Sequence, residues 1–198
     1  MNHKQFTKNM VDSVEKFAIL ARVAPANTGT SVPDLREKFL RFQLGPDGKA
    51  LLPLDIIYQV MRVPKPEILP VPQMPNCVLG IYNWRGEMLW LVDIGQMMGF
   101  GPVTGEVSLP LSYQAGMGGD LMAIAIQVNN LSFGLIVPQI NDIELHDPRQ
   151  LLVPSVGLFS PEVVPYLKGY LIGANNEVLM VVNAEAIAKA PLWKLHLS

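Results

Sequence analysis

The residues of this chain that could carry out chemistry are three histidines, one cysteine and a scatter of carboxylates. His3, His146 and His196 lie far apart, in different kinds of segment, and read as solvent-exposed loop or tail residues rather than as metal or catalytic groups. Cys77 has no neighbouring histidine or base to hold it as a thiolate, so it reads as a small buried hydrophobe. As the only cysteine, it can form neither an internal disulfide nor a zinc centre. Asp93 ends an apolar run and suits a cap on residues 94–99 better than a general base. Gly116-Met117-Gly118-Gly119 lacks the Gly-Lys-Ser/Thr of a phosphate loop. No catalytic residue, cofactor or metal is expected. The alternative, a small-molecule-binding or enzymatic β-barrel, would need convergent polar residues, and the titratable groups do not cluster.

A different chemistry is on offer in LGIYNWRGEMLWLVDI (79–94). Two apolar strand-like runs, 79–82 and 88–92, flank Asn83-Trp84-Arg85-Gly86. A tight hairpin turn of type I′ wants Asn and Gly, and the ends of the tetrad supply them. Nothing about a turn asks for Trp84 and Arg85. Those residue types dominate the energetic centres of protein interfaces. A guanidinium offers five donors in a rigid fork, suited to helix carbonyls or a carboxylate. The tetrad therefore reads as a docking surface. The competing reading is an exposed turn whose Trp folds back on its own barrel. Met61, Met88, Met97 and Met98 flank the region and suit an adaptable apolar rim.

The elements that position this turn follow from pattern. In the 198 residues, 49% are hydrophobic and 16% charged, against about 25% charged in an average soluble chain. So little polar surface implies that some apolar surface meets a partner. The net charge of −2, without basic blocks, argues against nucleic acid. No run reaches the ~18 apolar residues of a membrane span, and the polar N-terminus is not a signal peptide, so a cytoplasmic setting is expected. Met10, Val14, Phe17, Ala18 and Ala21 fall on one helical face, and 25–33 reads as a Pro/Gly linker. From residue 37 the chain alternates short strands and turn signals. FLRFQL (39–44), GPDGK (45–49), ALLPLDIIYQVMRVP (50–64), the proline-rich 64–75 and the hairpin around NWRG make one unit. After a Gly/Pro/Ser-rich loop over 99–119 the order repeats in LMAIAIQV (121–128), LSFGLIVPQINDIEL (131–145), LLVPSVGLFSP (151–161) and YLKGYLIGANNEVLMVVNAEAI (166–187), with Gly80 matched by Gly169. A duplicated, strand-rich unit predicts a mainly β fold of two small barrels packed side by side, each dependent on the other for core. Ile81, Leu89, Leu91, Ile126, Leu135, Val137, Leu179 and Val181 are the expected core residues.

At this point the chain resembles the CheW family of chemotaxis adaptors. VLGIYNWRGEMLWLVDI (78–94) is similar to the family's apolar strand, Asn-Leu-Arg-Gly turn and strand ending in Val-Asp-Leu. FLRFQL, the GLIV of 134–137 and residues 166–187 follow in the same order. The resemblance covers 37–190, leaving 1–36 as a helical or flexible extension and 191–198 as a tail. It implies two SH3-like five-stranded barrels without enzymatic activity. It also implies an adaptor between the cytoplasmic tip of a chemoreceptor and the regulatory domain of a CheA-type histidine kinase, recruited to receptor arrays without entering the membrane. The receptor surface it points to is Asn83, Trp84, Arg85 and Gly86 with Ile57, Gln59 and Met61; it assigns no kinase-binding residues. Trp84 stands for the usual Leu, Trp90 for the usual Pro, Gln59 for a frequent Glu and Pro138 for a frequent Asp. The two tryptophans are similar to the PilI-like branch that serves type IV pilus motility and phototaxis.

The linker-like composition of 25–33 generates one expectation. Deleting residues 1–33 should leave the melting temperature of the remainder unchanged. A drop of several degrees in thermal denaturation would show that the segment belongs to the core.

Overall fold

The computed structural model describes residues 34–46, 48–101, 119–155 and 157–192. The chain divides into two units, Met1–Asp34 and Leu35–Ser198, and the fold set out below is that of the second. The helix expected over residues 10–21, the linker 25–33, nearly all of the loop 99–119 and the tail beyond 192 lie outside the described residues.

The described strands are β1 (Glu37–Gln43), β2 (Lys49–Pro53), β3 (Ile57–Pro64), β4 (Val78–Trp84), β5 (Glu87–Asp93), β6 (Asp120–Val128), β7 (Leu131–Val137), β8 (Ile140–His146), β9 (Leu167–Ile172) and β10 (Val178–Val182). Their ends are written in turn and cap residues. Pro53 and Pro64 close β2 and β3, where a missing N–H costs the ladder least. β6 and β7 join through Asn129 and Asn130, both left-handed at φ 50° and 64°, as a type I′ turn requires. The short helix α1 (Ile94–Met97) is capped by Asp93, whose Oδ1 accepts from the Gln96 N–H at 2.9 Å. In α2 (Ala184–Ala188), Asn183 does the same for the Ala186 N–H at 3.1 Å. Asp93 is thus the expected cap.

The strands form two five-stranded sheets in the orders β8-β1-β2-β10-β9 and β3-β6-β7-β5-β4. Exchanging β1 with β6, β2 with β7, and so on to β5 with β10 converts one order into the other. The sequence duplication is therefore a pseudo-two-fold of the topology. The duplicated unit and the barrel are nevertheless different objects. Each sheet takes strands from both halves of the chain: β1 and β2 join β8, β9 and β10, while β6 and β7 join β3, β4 and β5.

Each sheet is closed by the segment that follows its edge strand, β3 or β8. After β3, Leu69 exchanges both backbone hydrogen bonds with Ile81 of β4, at 2.8 and 2.9 Å. After β8, Leu152 does so with Tyr170 of β9, at 2.9 and 3.0 Å. The closing segments run so close over the strands that only glycine fits beneath. A Cβ on Gly80 would stand 2.2 Å from the Leu69 carbonyl oxygen, and Gly80 has φ +140°. A Cβ on Gly169 would stand 2.4 Å from Leu151 Cγ and 2.7 Å from the Leu152 oxygen. A bulge accompanies each glycine, at Leu79 and at Lys168.

Three apolar layers result. Val63, Ile68, Leu89, Leu91, Leu121 and Ile136 fill one barrel. Phe39, Leu51, Leu171, Leu179 and Val181 fill the other. The largest cluster lies between the sheets and joins Leu40, Phe42 and Leu52 to Ile124, Phe133 and Leu135. Of the expected core residues, all are buried except Ile81. Ile81 pairs with Trp90, which packs outside the cluster of Leu89 and Leu91, and is half-buried.

Gly80→Ala should lower stability by about 3 kcal/mol or more, since the clash is with backbone and a left-handed φ adds strain. Gly101→Ala shares a positive φ (+89°) but has open space around it; it should cost only about 1–2 kcal/mol. Denaturant melts of both variants measure the difference, and equal losses would remove the argument from close approach.

Candidate functional site

The β4–β5 hairpin is tighter than the tetrad suggested. Trp84 pairs with Glu87, so the turn proper is Arg85-Gly86. Arg85 has φ 54° and Gly86 φ 87°, the two left-handed positions of a type I′ turn. Asn83 is a strand residue opposite Met88, and its Oδ1 accepts from the Gly86 N–H at 3.0 Å. Asn83 and Gly86 thus support the turn as expected. The unexpected feature is Arg85 in a conformation that disfavours any residue with a Cβ by about 1–2 kcal/mol, where Asn, Asp or Gly is usual.

Trp84 is half-buried against the barrel cluster that contains Leu89 and Leu91. Arg85 Cζ lies 5.1 Å from the Trp84 ring centroid, a cation–π arrangement. The docking turn and the Trp folded onto its own barrel are therefore one arrangement, with an exposed arginine laid over a seated indole.

The β3 residues divide. A bulge at Tyr58 shifts the register from Ile57↔Ile126 to Gln59↔Ala125. Beyond it Gln59 and Met61 lie opposite Ala125 and Ala123, and Met61 packs on the same cluster as Trp84. Ile57 packs instead on the cluster between the sheets. The structure thus unites Met61 with Trp84, with Gln59 on Met61's side, and sends Ile57 to the opposite face. Among the methionines, Met88 is 58% exposed opposite Asn83, but Met98 is fully buried in the shared core and Met97 half-buried beside it. Met98 is therefore core and not rim, because α1 turns it inward. Sequence reasoning passed over two exposed residues. Leu69, 59% exposed, lay hidden in a proline-rich connection; Tyr58, 61% exposed, sits on the bulge and donates its hydroxyl hydrogen to the Gln127 side-chain oxygen. An aromatic breaking the alternation of β3 was the available signal.

The matching end of the other barrel is built from ions. Counted back from the caps Asp93 and Asn183, Glu177 is the counterpart of Glu87. Glu177 receives Arg41, at 2.9 Å, and Lys49. Arg41 also reaches Glu144 at 2.9 Å, and His146 Nε2 lies 2.7 Å from the second Glu144 oxygen. His146 is thus a half-buried residue of β8, edge-on to Phe39, and not an exposed loop residue. It is drawn in because β8 crosses to pair with β1. Burial alone would raise the Glu144 carboxyl, but bonds from Arg41 and His146 outweigh it and hold it below the ordinary range. Glu177 is held low by Lys49 first, against burial, and by Arg41. Burial pushes the Cys77 thiol up, consistent with its place among Val78, Val92, Ala190 and Leu192. Among the described residues no three His, Cys, Asp or Glu side chains could share a metal, and no helix is long and apolar enough to cross a membrane. His3 and His196 lie outside the described residues.

Comparison with known proteins agrees with this geometry. The family model described as "CheW-like domain" matches residues 38–191. Among solved structures, the chain is similar to the scaffolding protein TtCheW from Thermoanaerobacter tengcongensis, with a TM-score of 0.59 and 18% identity over 80% of this chain and 90% of that one. At that identity the likeness establishes fold. No curated protein matches the chain.

The ion cluster carries a pH dependence. Its two carboxyls sit lower in the folded chain than in the unfolded one, so their contribution is complete above the ordinary carboxylate value of about 4.3. It is lost as pH falls through that value toward the lower folded ones, because the unfolded chain then takes protons first. A Glu144→Gln/Glu177→Gln variant should melt lower than wild type at pH 7, with the gap closing between about pH 5 and pH 3. Melting curves that stay parallel across that range would exclude the cluster as the source.

Proposed function

Since the chain belongs to the CheW-like domain family, we propose that it is a non-enzymatic adaptor that couples a chemoreceptor tip to a CheA-type histidine kinase. The observation that carries the reading is the β4–β5 turn. An arginine sits left-handed and exposed at the end of a barrel, supported by the Asn83 side chain and laid on Trp84. A turn with only a structural task would place Asn or Gly there. That TtCheW is a scaffolding protein supports the same reading.

In this proposal the receptor's helical tip meets Asn83, Trp84, Arg85 and Gly86, with Gln59 and Met61 beside them. Arg85 donates to helix carbonyls or a carboxylate. Ile57 contributes by anchoring β3 to the shared core. The kinase takes a different face, so that both partners are held at once and the signal passes as a change in their relative geometry. The adaptor works in the cytoplasm at membrane-bound receptor arrays. Trp84 and Trp90 are the residues that favour a type IV pilus or phototaxis system over flagellar chemotaxis.

Arg85→Glu tests the reading. It should weaken binding of a receptor tip fragment by about 2–5 kcal/mol, since it removes a charge-assisted contact and adds repulsion. Folding stability should change by only about 1 kcal/mol, the scale of an exposed cation–π contact. Affinity for the kinase regulatory domain should be unchanged. Titration of each fragment, with melting curves alongside, separates the outcomes. Equal receptor affinity in both proteins would end the docking reading for this turn.

A further inference from the structure

The proposal above groups Trp84 with Arg85 on the docking turn; it does not say what Trp84 does there. Yet three observations tie the two residues together. Arg85 is a non-glycine residue in the left-handed region, on an exposed turn whose other left-handed position is already filled by glycine. Its guanidinium carbon lies over the Trp84 ring, 5.1 Å from the centroid. Trp84 in turn cannot swing freely, because it is half-buried against the barrel cluster on which Met61 and Tyr82 also pack. Strain that persists on a surface turn points from conformation to function. A rigid indole beneath a planar cation fixes the plane in which the cation's donors leave the protein.

We propose that Trp84 is a positioning residue: its seated ring holds the Arg85 guanidinium in one orientation before any partner arrives. The inference rests on the docking reading and names the part of the site that confers its affinity. A long arginine side chain loses rotamer freedom when it is immobilised in an interface. On this turn much of that loss has already occurred in the free protein. The side of the guanidinium toward Trp84 is occupied by the ring, so the partner approaches from the remaining side. That suits an acceptor pair lying in the guanidinium plane, such as a carboxylate or successive exposed carbonyls. Met61 packs on the same cluster as the ring.

The test uses the full chain and two substitutions at one position. Trp84→Phe keeps an aromatic face; Trp84→Leu keeps apolar bulk over the barrel but removes the face. Binding is titrated with a soluble fragment of a chemoreceptor's helical hairpin tip. Trp84→Leu should weaken binding about threefold to tenfold, the range expected when one rotamer-rich side chain must be ordered on binding. Trp84→Phe should restore most of it. In an Arg85→Ala background Trp84→Leu should add nothing, since the ring acts through the arginine. A second measurement needs no partner. Ring-current shifts of the Arg85 side-chain protons should be present in wild type, reduced in Trp84→Phe and lost in Trp84→Leu. If Arg85→Glu abolishes binding while Trp84→Leu binds like wild type, the positioning role is wrong and the docking reading stands. If Arg85→Glu binds like wild type, the docking reading fails, and the site-specific affinity role of Trp84 fails with it. If Trp84→Leu does not fold, unshifted Arg85 protons in wild type would by themselves overturn the proposal.

Discussion

Everything in this fold hangs on two places where one backbone crosses another with no room for a side chain. At Gly80 the Leu69 carbonyl would meet an added Cβ at 2.2 Å, and at Gly169 the Leu152 oxygen would meet one at 2.7 Å. These crossings let the segments after β3 and β8 reach the free edges of β4 and β9. Each then exchanges a reciprocal pair of backbone bonds there. Without them each sheet would keep β3 and β4, or β8 and β9, as unpaired edges, which is the hazard that barrel closure removes. The hairpin that carries Arg85 is the continuation of the strand closed in this way. Its position relative to β3 and Met61 therefore follows from the crossing at Gly80.

The same topology explains why the two barrels behave as one body. β1 and β2 sit in the sheet of β8, β9 and β10, and β6 and β7 in that of β3, β4 and β5, so neither half contains a complete sheet. The largest apolar cluster lies between the sheets, where Phe42 and Leu52 of one meet Ile124, Phe133 and Leu135 of the other. Small barrels of this length bury little surface alone. Sharing both strands and core moves most of the stabilising burial to the place where the barrels touch. A scaffold gains from this, because neither barrel can tilt without disrupting a common core.

The periodicity made much of this legible. Turn residues, prolines and caps lie where strands end: Asn129 and Asn130 take the left-handed turn, Asp93 caps α1, and Gly80 and Gly169 mark equivalent strands. Strand exchange was not legible, since a repeat of short strands reads the same whether the barrels coincide with the repeats or trade members. The β3 bulge was hidden for a similar reason. One unpaired residue, Tyr58, inverts the facing of those before it and separates Ile57 from Gln59 and Met61. Met98 and His146 were misread because their burial is decided by elements remote in sequence: Met98 by packing in the shared core, His146 by the pairing of β8 with β1. At the turn, residue types exposed the anomaly of Trp84 and Arg85. Only geometry showed that the cation lies over the ring.

Duplication gives this chain two equivalent barrel ends, and the chain treats them differently. At one, Glu177 and Glu144 neutralise Arg41, with Lys49 and His146 completing the set. Charges so paired have few donors left to offer, and their pairing resists rearrangement. At the other end, alanines at 123 and 125 line β6 opposite Met61 and Gln59, and Trp84 packs on the cluster they belong to. That end is closed by apolar contact, which leaves the cation above it unspent. A guanidinium lying on an aromatic face keeps its edge donors available, whereas one held by two carboxylates does not. Closing one end with ions and the other with an indole thus makes a chemically distinct surface from a duplicated frame. The distinction needs no change of fold, because both ends are set by the same glycine crossings.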